Sequence, residues 1–463
     1  MNGLATDSSF SSKPRGPRSR LLAHNLRVSQ WDAAAFGVMV GIGETYLPQF
    51  VMRVGFTEVM SGLVVSVPVL MGGALQMISP WAVALLKSHK RWVLCCSLLQ
   101  AASFVPLIVA AIVGIIPPWA ALALAALYWA GGMGTGPAWN VWIGTLVPRT
   151  IRAHFFAKRT RLQQGTVLAG FLAGGFALEA GKQHDLTLGK QHDTELIVFA
   201  VLFAIACVCR LASAFFLAAQ TEPLPLPPNR QRVPALEQLQ RYRHSAGGRL
   251  LLYIIVVQFG VWITGPYFAP YMIKKLNFSY VDYSVLIAFS FVFKIMALPL
   301  CGRLAKRWGA RRLLTLGGIG IVPLAGMWSV SDNYAWLCVT QVIAGVSWAA
   351  YELAFFLLFF ESIPAKERVS VLTLFNLLNS LALAAGAMIG GIILHYAGET
   401  PAAYHTLFTI SSAWRALALI VLWRVPFIDV PADSVSMQLE ELSPTGDLLE
   451  GPILSSMPDE TRR

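Results

Sequence analysis

Stretches of about twenty apolar residues recur along most of this chain, and few folds tolerate them. A hydrocarbon layer about 30 Å thick is crossed by about 20 residues of helix, each rising about 1.5 Å. Lipid offers no partner to a backbone amide, so a chain that enters it must form helices or a closed barrel. Barrel strands alternate apolar and polar residues, whereas the stretches here are apolar throughout. Helical spans are therefore expected near 32–53, 59–85, 92–115, 118–146, 162–182, 195–219, 250–272, 283–301, 313–331, 335–361, 370–394 and 405–425. Composition agrees. Hydrophobic residues make up 56% of the chain and charged residues 13%, against about half and about a quarter in a soluble domain. The expected fold is an all-α integral membrane protein.

The formal net charge of +12 would suit nucleic acid if it were gathered on one surface. It is instead distributed by segment. Segments 1–31, 86–91, 147–161, 220–249, 302–312 and 362–369 hold 25 Lys and Arg. The alternating segments hold five: Arg53, Lys182, Lys190, Lys274 and Lys275. An excess of basic residues marks cytoplasmic loops. The pattern predicts a multi-pass protein of the plasma membrane with both termini cytoplasmic, bound by lipid and not by nucleic acid. Residues 1–30 read as a basic tail without the apolar core of a cleaved leader. Residues 427–463 read as an acidic, disordered tail. The six cysteines (Cys95, Cys96, Cys207, Cys209, Cys301 and Cys338) fall within or at the ends of apolar spans and form no CxxC pair or extracellular disulfide framework. They are expected to pack, and neither a metal nor a cofactor is expected.

Residues 220–249, Pro-rich and then polar and Arg-bearing, interrupt the membrane pattern and divide it into halves at 31–219 and 250–426. The halves share a register. Val147-Pro148 with Arg152 recurs as Ile363-Pro364 with Arg368, and Gly170, Gly174 and Gly175 recur as Gly386, Gly390 and Gly391, always 216 residues apart. One GxxxG match would mean little in a membrane helix; several in one register, at equivalent places, point to duplication. Repeated halves enclosing a site at their interface are a transporter plan.

The loop after the eighth span runs from Gly302 through Lys306, Arg307 and Gly309 to Arg311 and Arg312. It resembles the cytoplasmic loop signature of the major facilitator superfamily, a glycine, an acidic residue, a basic residue, a glycine and a basic cluster, with Lys306 in the acidic place. The matching loop of the first half, Pro80 to Arg91, keeps only the basic end. Gly170, Gly174 and Gly175 resemble the glycine-rich fifth-helix signature of that superfamily's antiporters, with Phe171 where the signature has proline. The resemblance extends over residues 30–426. It implies about twelve transmembrane helices in two pseudo-symmetric six-helix halves, a monomer, and a central cavity bordered by the first, fourth, seventh and tenth helices. It also implies gate or helix-packing roles for Gly170, Gly174, Gly302, Arg307, Gly309, Gly386 and Gly390.

An ionised group at the bilayer centre costs about 2.5–3.5 kcal/mol on insertion scales, so each needs a reason. Glu44 lies on a stripe with Ala33, Gly37 and Gly41, where a carboxylate on a small-residue face reaches a polar cavity. Lys294 lies mid-span and needs a carboxylate, an anionic ligand or water; Glu44 and Glu352 are the candidate partners. Glu352 follows Trp348 and Tyr351 and suits a proton site, a cavity ligand or an inner gate. Arg210 and Arg415, late in the last helix of each half, are expected to snorkel or to bond to the cytoplasmic loops.

Aromatic and amide side chains crowd the implied cavity helices. Tyr46, Trp139, Asn140, Gln258, Trp262, Trp348 and Tyr351 are the candidate lining, suited to an amphipathic or ring-bearing small organic solute. The expected function is secondary active transport by alternating access, coupled to protons or to sodium through Glu44, Lys294 and Glu352. A facilitative uniporter and a non-transporting receptor are the alternatives. HExxH, GxSxG and Walker motifs are absent from the sequence, and an enzyme is not expected.

Overall fold

The computed structural model describes residues 17–188, 193–222, 245–363 and 368–423. Most of the expected linker at 220–249 and the tails at 1–16 and 427–463 lie outside them. Six helical rods form the first half. Rod α1 is Pro17–Met39, continued through a π turn at Val40–Glu44 into Leu47–Arg53. It is followed by α2 (Glu58–Ser66 and Val69–Leu86), α3 (His89–Val113), α4 (Pro118–Leu146), α5 (Arg149–Leu188) and α6 (Thr194–Ala219). The second half repeats the series. Rod α7 starts as Ala246–Thr264 and continues in short turns to Lys275. Then come α8 (Tyr280–Trp308), α9 (Ala310–Ile321, tightening into short 3-10 turns up to Ser329), α10 (Tyr334–Ser362), α11 (Arg368–Ala397) and α12 (Pro401–Trp423).

Among the described residues, nine helices are long and apolar enough by length and composition to cross a membrane. Rods α1, α4 and α5 are the others. In α4, Gly, Trp and Tyr dilute the aliphatics; α1 and α5 run past the expected spans into charged sequence, so Arg149–Arg161, expected as a loop, is helix. Side chains close the rod ends. Thr57, Ser88, Ser245, Ser279 and Asn333 each accept from a backbone N–H in the first turn of the rod that follows.

The halves pack alike. Rod α1 lies against α5 and α6, α3 against α4 and α6, and α2 against α4. In the second half α7 lies against α11 and α12, α9 against α10 and α12, and α8 against α10. The halves meet along two seams, α5 with α8 and α2 with α11. Apolar side chains such as Ile112, Phe215, Met296 and Ile392 stay exposed on the outside, a surface only lipid satisfies. The end carrying the basic segments 86–91, 302–312 and 362–369 is called the basic end below; the end carrying the α1–α2, α5–α6, α7–α8 and α11–α12 turns is called the turn end.

Candidate functional site

Two rods are broken at matching places. In α1 the π turn at Val40–Glu44 ends before Pro48, and in α7 the helix tightens at Gly265 and Pro266. Proline lacks the N–H a helix needs and crowds the preceding turn, so it interrupts the ladder. Each break turns a tyrosine inward. Tyr46 Oη donates to Phe171 O at 2.5 Å, and Tyr267 Oη to Ala387 O at 2.6 Å. The two acceptors are again 216 residues apart. Tyr46 lies in the notch left by Gly174, where a Cβ would come 2.5 Å from its ring, and Tyr267 occupies the equivalent notch at Gly390. Here the repeated glycines have their reason. Each ring also reaches across a seam: Tyr46 Oη is 2.9 Å from Ser284 Oγ on α8, and Tyr267 fills the space beside Gly62 on α2. Tyr46 is fully buried. Tyr46, expected as cavity lining, is seated by the broken helix in the α1–α5–α8 junction.

Polar contacts tie the halves at the turn end. Lys275 Nζ lies 2.8 Å from Glu58, and Tyr404 Oη donates to the same carboxylate at 2.6 Å. Tyr280 Oη donates to Glu195 at 2.6 Å; the other oxygen of Glu195 accepts from Arg53 Nε at 2.8 Å. The Tyr280 N–H reaches Glu179 at 2.9 Å. Sequence reasoning missed these acids. Glu58 and Glu195 sit at span edges, where a carboxylate reads as a boundary, yet both are buried.

Within the first half, Glu44 ends the π turn, half-buried, and Tyr128 on α4 donates to its Oε2. Phe104 meets the Tyr128 ring edge-on. In the second half, Lys294 on α8 pairs with Glu352 on α10 at 2.5 Å, with side chains 11% and 17% exposed. Gly345 permits the approach, since a Cβ there would lie 2.8 Å from the backbone nitrogen of Lys294. The partner of Lys294 is thus Glu352 and not Glu44.

A further buried network was hidden by the helix extensions. Arg159 on α5 pairs with Asp32 on α1 at 2.9 Å; the other oxygen of Asp32 accepts from Ser213 Oγ, which accepts in turn from Arg210 Nη1 on α6. Trp139 lies under the Arg159 guanidinium, 4.3 Å from its centroid, so this expected cavity residue is a buried packing partner of α5. Arg415 on α12 turns inward too, donating to Ile321 O and Thr264 Oγ1 at 3.2 Å. Snorkelling is corrected for both Arg210 and Arg415: each is buried within its half.

Of the remaining expected cavity residues, Tyr351 is fully buried, its ring 6.1 Å from Tyr253 inside the second half. Trp348 is half-buried and meets Tyr351 edge-on. Asn140 and Gln258 are half-buried and Trp262 is buried. In the α8–α9 loop Gly302 is buried, Arg307 is exposed, and Gly309 ends α8 with φ +86°, a left-handed conformation that favours glycine. Close crossings explain the other packing glycines. A Cβ at Gly170 would lie 3.2 Å from Val38 O, and one at Gly386 2.5 Å from Phe259 O.

A duplicated twelve-rod bundle, joined at one end and carrying paired charges within its apolar body, has the repeated-half plan found in membrane transporters. Comparisons with known proteins agree. The sequence model of the Major Facilitator Superfamily matches residues 250–455. The MFS-type efflux transporter phmH of Phaeosphaeria nodorum is 24% identical over 141 residues, a stretch covering 30% of this chain and 22% of that protein. Among solved structures, a bacterial homologue of the human lysosomal transporter Spinster, inward-facing and occupied, superposes with TM-score 0.58 at 14% identity, covering 94% of this chain and all of that one. The nucleoside transporter NupG superposes with TM-score 0.57 at 13% identity, covering 88% of this chain and 99% of that one. A bacterial homologue of the iron transporter ferroportin, outward-facing, superposes with TM-score 0.57 at 14% identity over the same shares, 88% and 99%. The second half of the chain thus matches the superfamily by sequence, and the whole chain shares the fold of these solved transporters.

Proposed function

We propose that the protein is a secondary active transporter that carries a small organic solute by alternating access, with protons as the coupling ion. The observation that carries this reading is the half-buried Glu44, held by Tyr128 on the break of α1. A carboxyl group on a broken membrane helix is a candidate proton carrier, since an intramembrane acid is rare without a function and Tyr128 supplies it with a hydrogen-bond donor. Sodium would use the same carboxylate. The Lys294–Glu352 pair supports a second role, a charge-neutral brace between α8 and α10 that a passing proton or solute would open. The turn-end contacts support an exterior gate in its closed position, with the basic end cytoplasmic in the plasma membrane, both termini on that side, and Gly302, Arg307 and Gly309 at the inner gate. On this reading residues 31–219 and 250–426 are the moving halves, 220–249 is their linker, and one chain suffices. The solved structures of like fold include a nucleoside transporter and a homologue of an iron transporter, so the shared fold selects no cargo.

The test is flux in proteoliposomes under an imposed pH gradient, over a panel of ring-bearing solutes. The parent is expected to accumulate or expel at least one of them, and Glu44→Gln to lose the pH-driven part while retaining exchange. Equal driving of parent and Glu44→Gln by the gradient would sink the coupling claim.

A further inference from the structure

The charges within the bundle have partners: Lys294 has Glu352, Asp32 has Arg159 and Ser213, and Glu44 has Tyr128. A set of neutral groups does not. Gln76 Oε1 on α2, Gln258 Oε1 and Trp262 Nε1 on α7, and the amide atoms Asn376 Oδ1, Asn376 Nδ2 and Asn379 Oδ1 on α11 are buried without a hydrogen-bond partner. Gln76, Trp262, Asn376 and Asn379 are 5%, 4%, 1% and 6% exposed, so bulk water does not serve them. Buried polar atoms are nearly always paired, with protein, water or ligand.

Helix geometry turns these groups toward one seam. On α2, Gly72 faces α4, where a Cβ would lie 2.9 Å from Trp129 O, and Gly73 faces α11, where it would lie 3.0 Å from Ser380 Oγ. At about 100° per residue, Gln76 points between those two directions. On α11, Ser380 faces α2 and Gly386 faces α7; Asn376 points between them, and Asn379 lies on the Gly386 side. On α7, Gln258 and Trp262 are one turn apart, and Trp262 Cβ lies 3.2 Å from the Cβ position of Gly386. Gly73 and Ser380 are level, so Gln76 and Asn376 each sit about one turn nearer the basic end. Trp262 is level with Gly386, about 15 Å of helix rise from Asn376, so the groups form a track along the α2–α7–α11 seam between the halves, with Gln76 and Asn376 at one level and Gln258 and Trp262 nearer the turn end, apart from the Lys294–Glu352 pair.

We propose that this track holds a subsite for an uncharged polar group of the transported solute, a carboxamide, hydroxyl or carbonyl; the inference rests on the transport reading above. Trp262 and Asn376 supply N–H donors, while Gln76, Gln258 and Asn379 supply carbonyl acceptors. A carboxylate here would meet several acceptor oxygens, and an ammonium would find amide oxygens but none of the bundle's paired carboxylates. A neutral group that both donates and accepts matches the Gln76–Asn376 pair, with Asn379, Gln258 and Trp262 continuing the same neutral lining along the solute.

The probes are benzamide, benzoate and benzylamine, one ring in neutral, anionic and cationic form, added at matched millimolar concentrations to the purified full-length protein during thermal unfolding. Benzamide is expected to raise the midpoint and the other two to leave it unchanged. In Gln76→Leu/Asn376→Leu the apparent affinity for benzamide is expected to fall about tenfold or more, the loss of one or two neutral hydrogen bonds. If that variant does not fold, Gln258→Leu, altered at a half-buried position, gives the same readout with a smaller fall. Preference for a charged probe, an undiminished benzamide response in the variant that folds, or silence from all three overturns the subsite. Spin-label distances between the halves need no solute and judge the transport reading separately. Halves that move while benzamide is ignored leave that reading intact and remove only the subsite.

Discussion

The two seams between the halves use one device and finish it differently. On the α5–α8 seam, Tyr46 rests in the notch at Gly174, donates to Phe171 O and has the Ser284 hydroxyl of the other half within 2.9 Å. On the α2–α11 seam, Tyr267 rests in the notch at Gly390, donates to Ala387 O and packs its ring beside Gly62 of the other half. The duplicated part is what each half needs to hold itself together: a broken helix, a glycine notch and a carbonyl acceptor. The divergent part is how each tyrosine meets the other half, through a hydroxyl on one seam and through ring packing on the other. The arginines of α6 and α12 show the same split. Arg210 is linked through Ser213 to the carboxylate of Asp32, whereas Arg415 leans on a carbonyl and Thr264.

The charged contacts offer the largest test of that split. Asp32→Asn strands Arg159 in an apolar setting and is expected to cost about 3–5 kcal/mol of stability, seen as a large fall in the unfolding midpoint. Thr264→Val, its counterpart beside Arg415, is expected to cost about 1.5–3 kcal/mol, one hydrogen bond to a charged group. Equal losses would break the comparison of the arginines. Glu352→Gln should behave like Asp32→Asn, while Lys294→Met/Glu352→Leu should recover most of the loss, since paired removal leaves no stranded charge.

Next in size are the notches. Gly390→Ala places a methyl group into the Ile263 carbonyl and the Tyr267 ring, and is expected to cost about 1–3 kcal/mol. Gly165→Ala, on a helix face with nothing within 4 Å, is expected to be neutral or slightly stabilising. Unfolding midpoints of the two variants, measured side by side, check whether packing or helix propensity governs these glycines.

The smallest effect separates the seams themselves. Tyr46→Phe leaves a buried carbonyl and Ser284 without their phenol and is expected to cost about 1–3 kcal/mol; Tyr267→Phe strands one acceptor and should cost less, about 1 kcal/mol. In a Ser284→Ala background the two tyrosine replacements should become equal in denaturant titrations. A Tyr46→Phe effect that Ser284→Ala does not reduce would mean that the hydroxyl contact across the seam carries no energy.

Much of this fold was legible because lipid forces the sequence to declare its helices. The glycines repeat in register, since a backbone notch has one chemical solution. Their occupants were harder to find: Tyr46 and Tyr267 are 221 residues apart rather than 216, because α9 with its following turn is shorter than α3 with its own, and the register shifts between them. Asp32 and Arg159 looked like a span edge and a loop, although the helices run on beyond the apolar stretches and bring them together. Glu58 and Glu195 were likewise read as edges; their partners Lys275, Tyr404 and Tyr280 come from the other half, and no local spacing encodes such contacts. Lys294 demanded a carboxylate from the outset, and only the approach at Gly345 chose Glu352 over Glu44.

The central claim is that two rigid halves pivot about the tyrosine seams, opening one end as the other closes. Distances between spin labels on the full chain in lipid nanodiscs test it directly, with one pair at Ile115 and Asn333 across the turn end and another at the exposed Arg91 and Lys306 across the basic end. As pH is lowered toward protonation of Glu44, the account predicts populations that lengthen in one pair and shorten in the other, with Glu44→Gln fixed in a single population. Two pairs that lengthen together, or that hold constant distances through the titration in the parent, would contradict it.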